Sequence, residues 1–184
     1  MLRAILPVHA NRPPHLLIRS AIVPQHEHWQ GVRRQFDAYR KLKGEIVARE
    51  DWLCNPGRKI VPRIARLTHI TDAMVANEPP VGEIIKRFAD FAGDLPLVGH
   101  NIKSSDLHYI TRAAKRAGVP MENAFFDTYR YAKQFQPAQG WENVKLETLS
   151  KLFGIEQNEA HRAWCDAEAN VGVYFKLKEL GKSE

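Results

Sequence analysis

Leu95-Pro96-Leu97-Val98-Gly99-His100-Asn101-Ile102-Lys103-Ser104-Ser105-Asp106 reads as a buried strand that ends at His100 and hands over to a helix starting at Asp106. The compact apolar run argues for the strand, and Pro96 is tolerated only at its start. Ser105 is placed to cap the helix. Leu107, Ile110, Ala113, Ala114 and Ala117 then recur at helical spacing until Gly118 and Pro120 stop it. A strand feeding an amphipathic helix is the unit of an α/β sheet, whose strand ends commonly line clefts. Asp106 stands at such an end. Taken alone, it reads as an acid favoured by the helix dipole.

Upstream, Ile84, Ile85, Phe88 and Phe91 follow Pro79-Pro80 as the apolar stripe of a helix that Gly93 terminates. Pro62 opens a short helix toward Leu67, and Thr71 is an N-cap for another through Met74 and Val75. Asn55-Pro56-Gly57 presets a turn. Before it, Phe36-Asp37-Ala38-Tyr39-Arg40 and Glu45-Ile46-Val47-Ala48-Arg49 are strand-like runs joined through Lys43-Gly44, a β-hairpin whose second strand continues into Trp52-Leu53-Cys54. Residues 1–35 offer no such element. Pro7, Pro13, Pro14 and Pro24 interrupt every short apolar run there, Leu16-Leu17-Ile18 included, so the expectation is a poorly ordered basic arm ahead of a domain over residues 36–184. The His26-x-His28 pair has strand spacing but no further ligands, and it is read as solvent-facing.

Downstream, Phe125-Phe126 makes a short strand, Asp127 or Thr128 starts a helix through Lys133, and Leu146, Leu149 and Leu152 mark a helix ending at Gly154. The last helix runs from Ala163 to Leu180 and buries Ala167, Val171, Tyr174 and Leu177. At its start lies His161-Arg162-Ala163-Trp164-Cys165-Asp166-Ala167. On one continuous helix His161 and Asp166 would point roughly 140° apart. His161 therefore belongs on the preceding loop and Asp166 in the first turn, where the carboxylate suits the helix dipole and can still face a cleft. Such a pairing suits a base beside a bound cation.

The composition agrees with a globular domain: 184 residues are enough to bury a core without disulfides, and 44% are hydrophobic. Lys and Arg outnumber Asp and Glu by 27 to 21, a formal net charge of +6 that favours a polyanionic partner. Cys54 and Cys165 show no metal-ligand spacing and read as reduced thiols of a cytoplasmic protein. No apolar run reaches the length of a membrane span, so no membrane partner is expected.

Together these stretches resemble the DnaQ-like, DEDDh-type 3′-to-5′ exonucleases, from about Ala38 to Leu180. Asn55-Pro56-Gly57 and Leu67-Thr68-His69-Ile70-Thr71-Asp72-Ala73-Met74-Val75 look like the family's Asn-Pro-Gly turn and its "HGIT" segment. Val98 to Asp106 is similar to the second exonuclease motif, and His161 to Ala167 matches the third, H-x-A-x-x-D-A. The resemblance implies an α/β, RNase H-like fold with a mixed central sheet flanked by helices. It further implies a 3′-to-5′ exonuclease that hydrolyses single-stranded DNA or RNA, with two Mg²⁺ or Mn²⁺ ions bound by carboxylates. Asp106 and Asp166 are two of those ligands by this likeness, His161 is the general base, and Thr68, Ile70 and Asn101 shape the nucleotide pocket. A polymerase subunit is an implied partner.

The family's first motif, an Asp-x-Glu on the opening strand, has no clear copy. Ala21-Ile22-Val23-Pro24-Gln25-His26-Glu27 is the nearest candidate, with Gln25 in the aspartate position and Glu27 offered as both a catalytic residue and a metal ligand. A neutral amide cannot replace a bridging carboxylate. In the second motif, Ser105 stands where an aromatic residue usually precedes the aspartate. An altered beginning of the chain, a degenerate enzyme, or a ligand from elsewhere would each account for the missing acid; the first is preferred because the family pattern holds from Ala38 onward. The alternative to an active nuclease is a catalytically impaired relative that binds nucleic acid or a polymerase partner.

Overall fold

A computed structural model describes residues 15–19, 35–42, 45–155 and 163–182 of the chain. In order these form β1 (His15–Arg19), β2 (Gln35–Leu42), β3 (Glu45–Leu53), α1 (Pro62–Thr68), α2 (Asp72–Val75), α3 (Val81–Ala92) and β4 (Leu97–Gly99). Then come α4 (Asp106–Ala117), β5 (Phe125–Asp127), α5 (Thr128–Gln139), α6 (Leu146–Leu152) and α7 (Ala163–Leu180). The strands make one mixed sheet in the order β3-β2-β1-β4-β5. The β1–β2 and β2–β3 pairs are antiparallel, whereas β1–β4 and β4–β5 are parallel. The expected α/β class and mixed sheet are both present.

The alternation along β4 shows how the layers are built, because successive side chains of a strand point to opposite faces. Leu97 packs with Ile84, Ile85 and Phe88 of α3 and with Ile110 and Ala114 of α4. Val98, its neighbour, packs with Ala167, Val171 and Tyr174 of α7. Helices therefore cover both faces of the sheet. The predicted stripe of α3 is the buried one, with Ile84, Ile85 and Phe88 at 1% exposure or less. Trp52 of β3 meets the Phe88 and Phe91 rings edge-on, at 6.4 Å and 5.8 Å, an arrangement that suits the aromatic quadrupole.

Helix α7 is buried around most of its circumference. Ala169, Val173 and Leu177 face a second cluster with Ala132 and Phe135 of α5 and Leu146 and Leu149 of α6. It is thus wedged between the sheet and the α5–α6 layer. Ala167, Val171, Tyr174 and Leu177 are all buried, as their spacing predicts.

Several expectations need correction. Leu16-Leu17-Ile18 is not an interrupted run in an arm but the middle of β1, the central strand. Pro13 and Pro14 precede His15 in sequence, and prolines near a strand's start do not exclude the strand. Helix α5 continues past Lys133 to Gln139 with Pro137 inside it. Pro137 gives no N–H to the carbonyl four residues earlier and crowds it, so it weakens the final turn, and the chain leaves the helix at Gly140 with φ 65°. Leu152 is 52% exposed, so α6 buries Leu146 and Leu149 without it. Thr71 and Ser105 occupy N-cap positions but make no side-chain cap bond.

Candidate active site

The loop from β4 to α4 is shaped by contacts that act on its backbone. Gly99 ends the strand where the chain folds tightly, and a Cβ built there would lie 2.8 Å from the Ile102 Cβ. Asn101 adopts φ 57°, a left-handed conformation that asparagine tolerates better than most residues. The Asp127 carboxylate accepts the backbone N–H of Asn101 at 3.0 Å and of Lys103 at 3.2 Å. It also caps α5 by accepting from Tyr129 N at 3.1 Å and Arg130 N at 3.3 Å. Ser105 turns its hydroxyl back to the Asn101 carbonyl at 2.9 Å and lies against the Asp106 carboxylate. The outcome is a fixed presentation of Asp106, 3% exposed, at the first position of α4.

Asp166 occupies the first turn of α7, as expected, and is 6% exposed. A buried polar stitch joins its helix to the end of β4. Thr128, fully buried, donates its hydroxyl to Asn170 Oδ1 at 2.7 Å. The Thr128 hydroxyl oxygen also lies 3.2 Å from the Gly99 carbonyl and 3.0 Å from His100 Nδ1. Asn170 is one helical turn beyond Asp166, so both project from one face of α7. Asn170 Nδ2 is buried with no hydrogen-bond partner among the described residues. In sequence Asp127 and Thr128 mark only a helix start and Asn170 carries no signal, because their roles rest on partners 24 to 42 residues away.

The remaining expected residues are distributed differently. The Thr68 hydroxyl donates to the Ile64 carbonyl at 2.9 Å and lies 3.3 Å from Ile70 N. The Ile70 side chain packs with Ile60, Ile64 and Val75. Both residues are buried, at 5% and 3%. The turn before them is held as expected: Asn55 Oδ1 accepts from Gly57 N at 2.8 Å, and Asn55 Nδ2 donates to the Ala76 carbonyl at 2.9 Å. A cavity of about 310 Å³ lies elsewhere, lined by Asp51, Trp52, Leu53, Glu78, Ile84 and Arg87. His161, Gln25 and Glu27, with the Ala21–Glu27 stretch proposed as the first motif, lie outside the described residues.

The strand beside β4 is β1, with Leu16 opposite Leu97 and Leu17 opposite Val98. Its sequence, His15-Leu16-Leu17-Ile18-Arg19, holds no carboxylate. Asp106 and Asp166 supply the hard oxygen donors that suit Mg²⁺ or Mn²⁺. Among the described residues, however, no three His, Cys, Asp or Glu side chains converge on one point. By donor chemistry the two carboxylates suit a divalent cation, and β1 adds no third.

The family pattern of RNase T-type exonucleases matches residues 34–174. This chain belongs to that exonuclease family. A putative bifunctional exonuclease/endonuclease protein of Mycobacterium tuberculosis (strain CDC 1551 / Oshkosh) is 34% identical over 146 residues, covering 79% of this chain and 22% of that protein. The PolC-type DNA polymerase III of Staphylococcus aureus is 32% identical over 162 residues, covering 82% and 11%. The chain thus spans only a minor part of either relative's length. Among solved structures, exonuclease I superposes with a TM-score of 0.78 over 92% of this exonuclease domain and 41% of that chain, at 19% identity. Its Escherichia coli complex with single-stranded DNA and zinc gives 0.77 over 91% and 41%, at 18% identity. These likenesses assign the sheet and its helices to the RNase H-like fold. The family match begins at residue 34, beyond β1. No helix among the described residues is long and apolar enough to cross a membrane.

Proposed function

We propose that this exonuclease domain hydrolyses single-stranded DNA or RNA from the 3′ end. The observation that carries the proposal is the pair of buried carboxylates: Asp106 opens α4 just after β4, and Asp166 lies on α7, which the Thr128 stitch ties to the end of β4. These two residues would hold Mg²⁺ or Mn²⁺. A bound ion of that kind lowers the pKa of a coordinated water and stabilises a leaving oxygen. His161 takes the proton from the attacking water, a role suited to an imidazole that titrates near neutral pH. Thr68, Ile70 and Asn101 shape the pocket for the terminal nucleotide, and Glu27 is the carboxylate offered for a second ion. The complex of exonuclease I with single-stranded DNA supports the substrate class, and the PolC-type relative supports a polymerase partner.

Digestion of 3′-labelled single strands in Mg²⁺ tests this reading. Activity that disappears in Asp166→Ala and His161→Ala is the expected result; activity unchanged in both overturns it.

A second reading is favoured by one specific observation, the absence of any carboxylate from β1. On that reading the domain is catalytically impaired and binds nucleic acid or a polymerase partner. Calorimetric titration with Mn²⁺ in the presence of a nucleoside monophosphate separates the two. Two tight binding events exclude the impaired domain, whereas at most one supports it.

A further inference from the structure

Some exposed cations on the helices of this protein are paired with an acid about one turn away. Arg87 meets Glu83 at 2.5 Å on α3, Lys151 meets Glu147 at 2.8 Å on α6, and Lys176 meets Glu179 at 3.3 Å on α7. The stretch leading into and along α1 offers its cations no such acid. Residues 55–71 contain Arg58, Lys59, Arg63 and Arg66 and no acid. All four cations are exposed. Among the described residues, Lys59, Arg63 and Arg66 enter no ion pair.

Packing fixes where these charges lie. Ile60, Ile64 and Ile70 go inward to one apolar cluster with Val75. Arg63 and Arg66, three residues apart, share a solvent-facing side of α1. The Ile60 N–H donates to Asp72 Oδ1 at 2.7 Å, which pins the backbone beside Lys59 to the start of α2. The helix ends at Thr68, and His69 caps it with φ 56°, also exposed. A row of like charges without counter-charges is self-repelling, and a polyanion laid along it reverses that cost while releasing condensed counterions.

We infer that Lys59, Arg63 and Arg66 form a track for the phosphate backbone of a single strand whose 3′ end lies toward Thr68 and Ile70. The placement of the end rests on the function proposed above. The affinity for a single strand rests on the charges alone.

The test is a fluorescence-anisotropy titration of labelled oligothymidylate with the full chain, in EDTA so that no hydrolysis occurs, across a series of KCl concentrations. Each phosphate of a single strand that is no longer neutralised by a cation lowers the slope of log K against log salt by about 0.7. Lys59→Ala/Arg63→Ala/Arg66→Ala should therefore reduce the slope by about 2 and weaken binding at low salt at least tenfold. A charge-matched control, Lys86→Ala/Lys115→Ala/Arg116→Ala, removes exposed cations of α3 and α4 and should leave the slope unchanged. Far-ultraviolet circular dichroism melts confirm that both variants fold. Equal slopes in the wild type and the α1 variant, an equal loss in the control, or no binding by the wild type would each overturn the inference. So would equal affinity for phosphatidylserine vesicles. Because cleavage plays no part, an inactive enzyme leaves this result readable, and a failed track leaves the nuclease assay readable.

Discussion

Asp127 holds the backbone N–H of Asn101 at 3.0 Å, so a side chain at the end of β5 sets the path of a loop 26 residues earlier in the chain. The same carboxylate serves Lys103, Tyr129 and Arg130. Removing it strands several donors in a part-buried setting, each costing on the order of 1–3 kcal/mol. Asp127→Ala should lower the urea midpoint by at least the equivalent of about 2 kcal/mol. Asp127→Asn, which keeps one acceptor oxygen, should lose less. Equal losses would show that the charge rather than the acceptor geometry matters.

Thr128 can be tested with a nearly isosteric change. In Thr128→Val the fold keeps its volume, but Asn170 Oδ1, His100 Nδ1 and the Gly99 carbonyl lose a common partner. Destabilisation of roughly 2 kcal/mol is expected, with most of it restored in Thr128→Ser. Urea denaturation with an unchanged m-value measures it.

Gly99→Ala should cost about 1–3 kcal/mol through overpacking, because the new methyl group meets the Cβ of the fully buried Ile102 rather than a movable side-chain tip. Hydrogen exchange should quicken at Leu107, whose N–H bonds the Ile102 carbonyl at 2.8 Å. Protection equal to that of the wild type would mean that the loop absorbs the methyl group.

Tyr174 provides a pH-dependent signal. Burial, reinforced by the neighbouring Tyr131, raises its hydroxyl above the ordinary value of 10.0. A pKa raised on folding contributes stability that is complete below pH 10 and is lost as the pH climbs through the folded value. Urea midpoints measured between pH 8 and 11 should therefore fall on the alkaline side in the wild type and fall less in Tyr174→Phe. Parallel curves would remove Tyr174 as the source.

The helices were legible in the sequence because each buries one face and shows it as spacing: Ile84, Ile85 and Phe88 on α3, Ile110 and Ala114 on α4, and Ala167, Val171, Tyr174 and Leu177 on α7. The hairpin was legible for a similar reason; its first strand extends further than predicted, as β2 from Gln35 to Leu42, while β3 runs from Glu45 to Leu53, one residue short of the predicted Cys54. β1 was not legible. A five-residue strand paired on both sides needs no polar alternation, and prolines nearby gave the stretch the look of a loop.

Of the candidate site, Asp106 and Asp166 could be found because a strand end and a helix start flank them in sequence. The supports around them could not. Asp127 at the end of β5, Thr128 at the start of α5 and Asn170 within α7 are ordinary residues until the fold brings β4, α5 and α7 together. Ser105 shows the converse: its position promised a cap, but in a tight loop the Asn101 carbonyl is the nearer partner.

The place of β1 between β2 and β4 also bears on how the chain reaches this state. The β2–β3 hairpin closes over a few residues, and structures of that kind form within about 1–10 μs. The parallel pairing of Leu16 with Leu97 joins residues 81 positions apart, 97 minus 16, and non-local pairings of this sort form slowly. During synthesis β1 is made before its second neighbour exists. Its free edge is then open to other chains, so the interval before β4 arrives is when this protein is most exposed to aggregation.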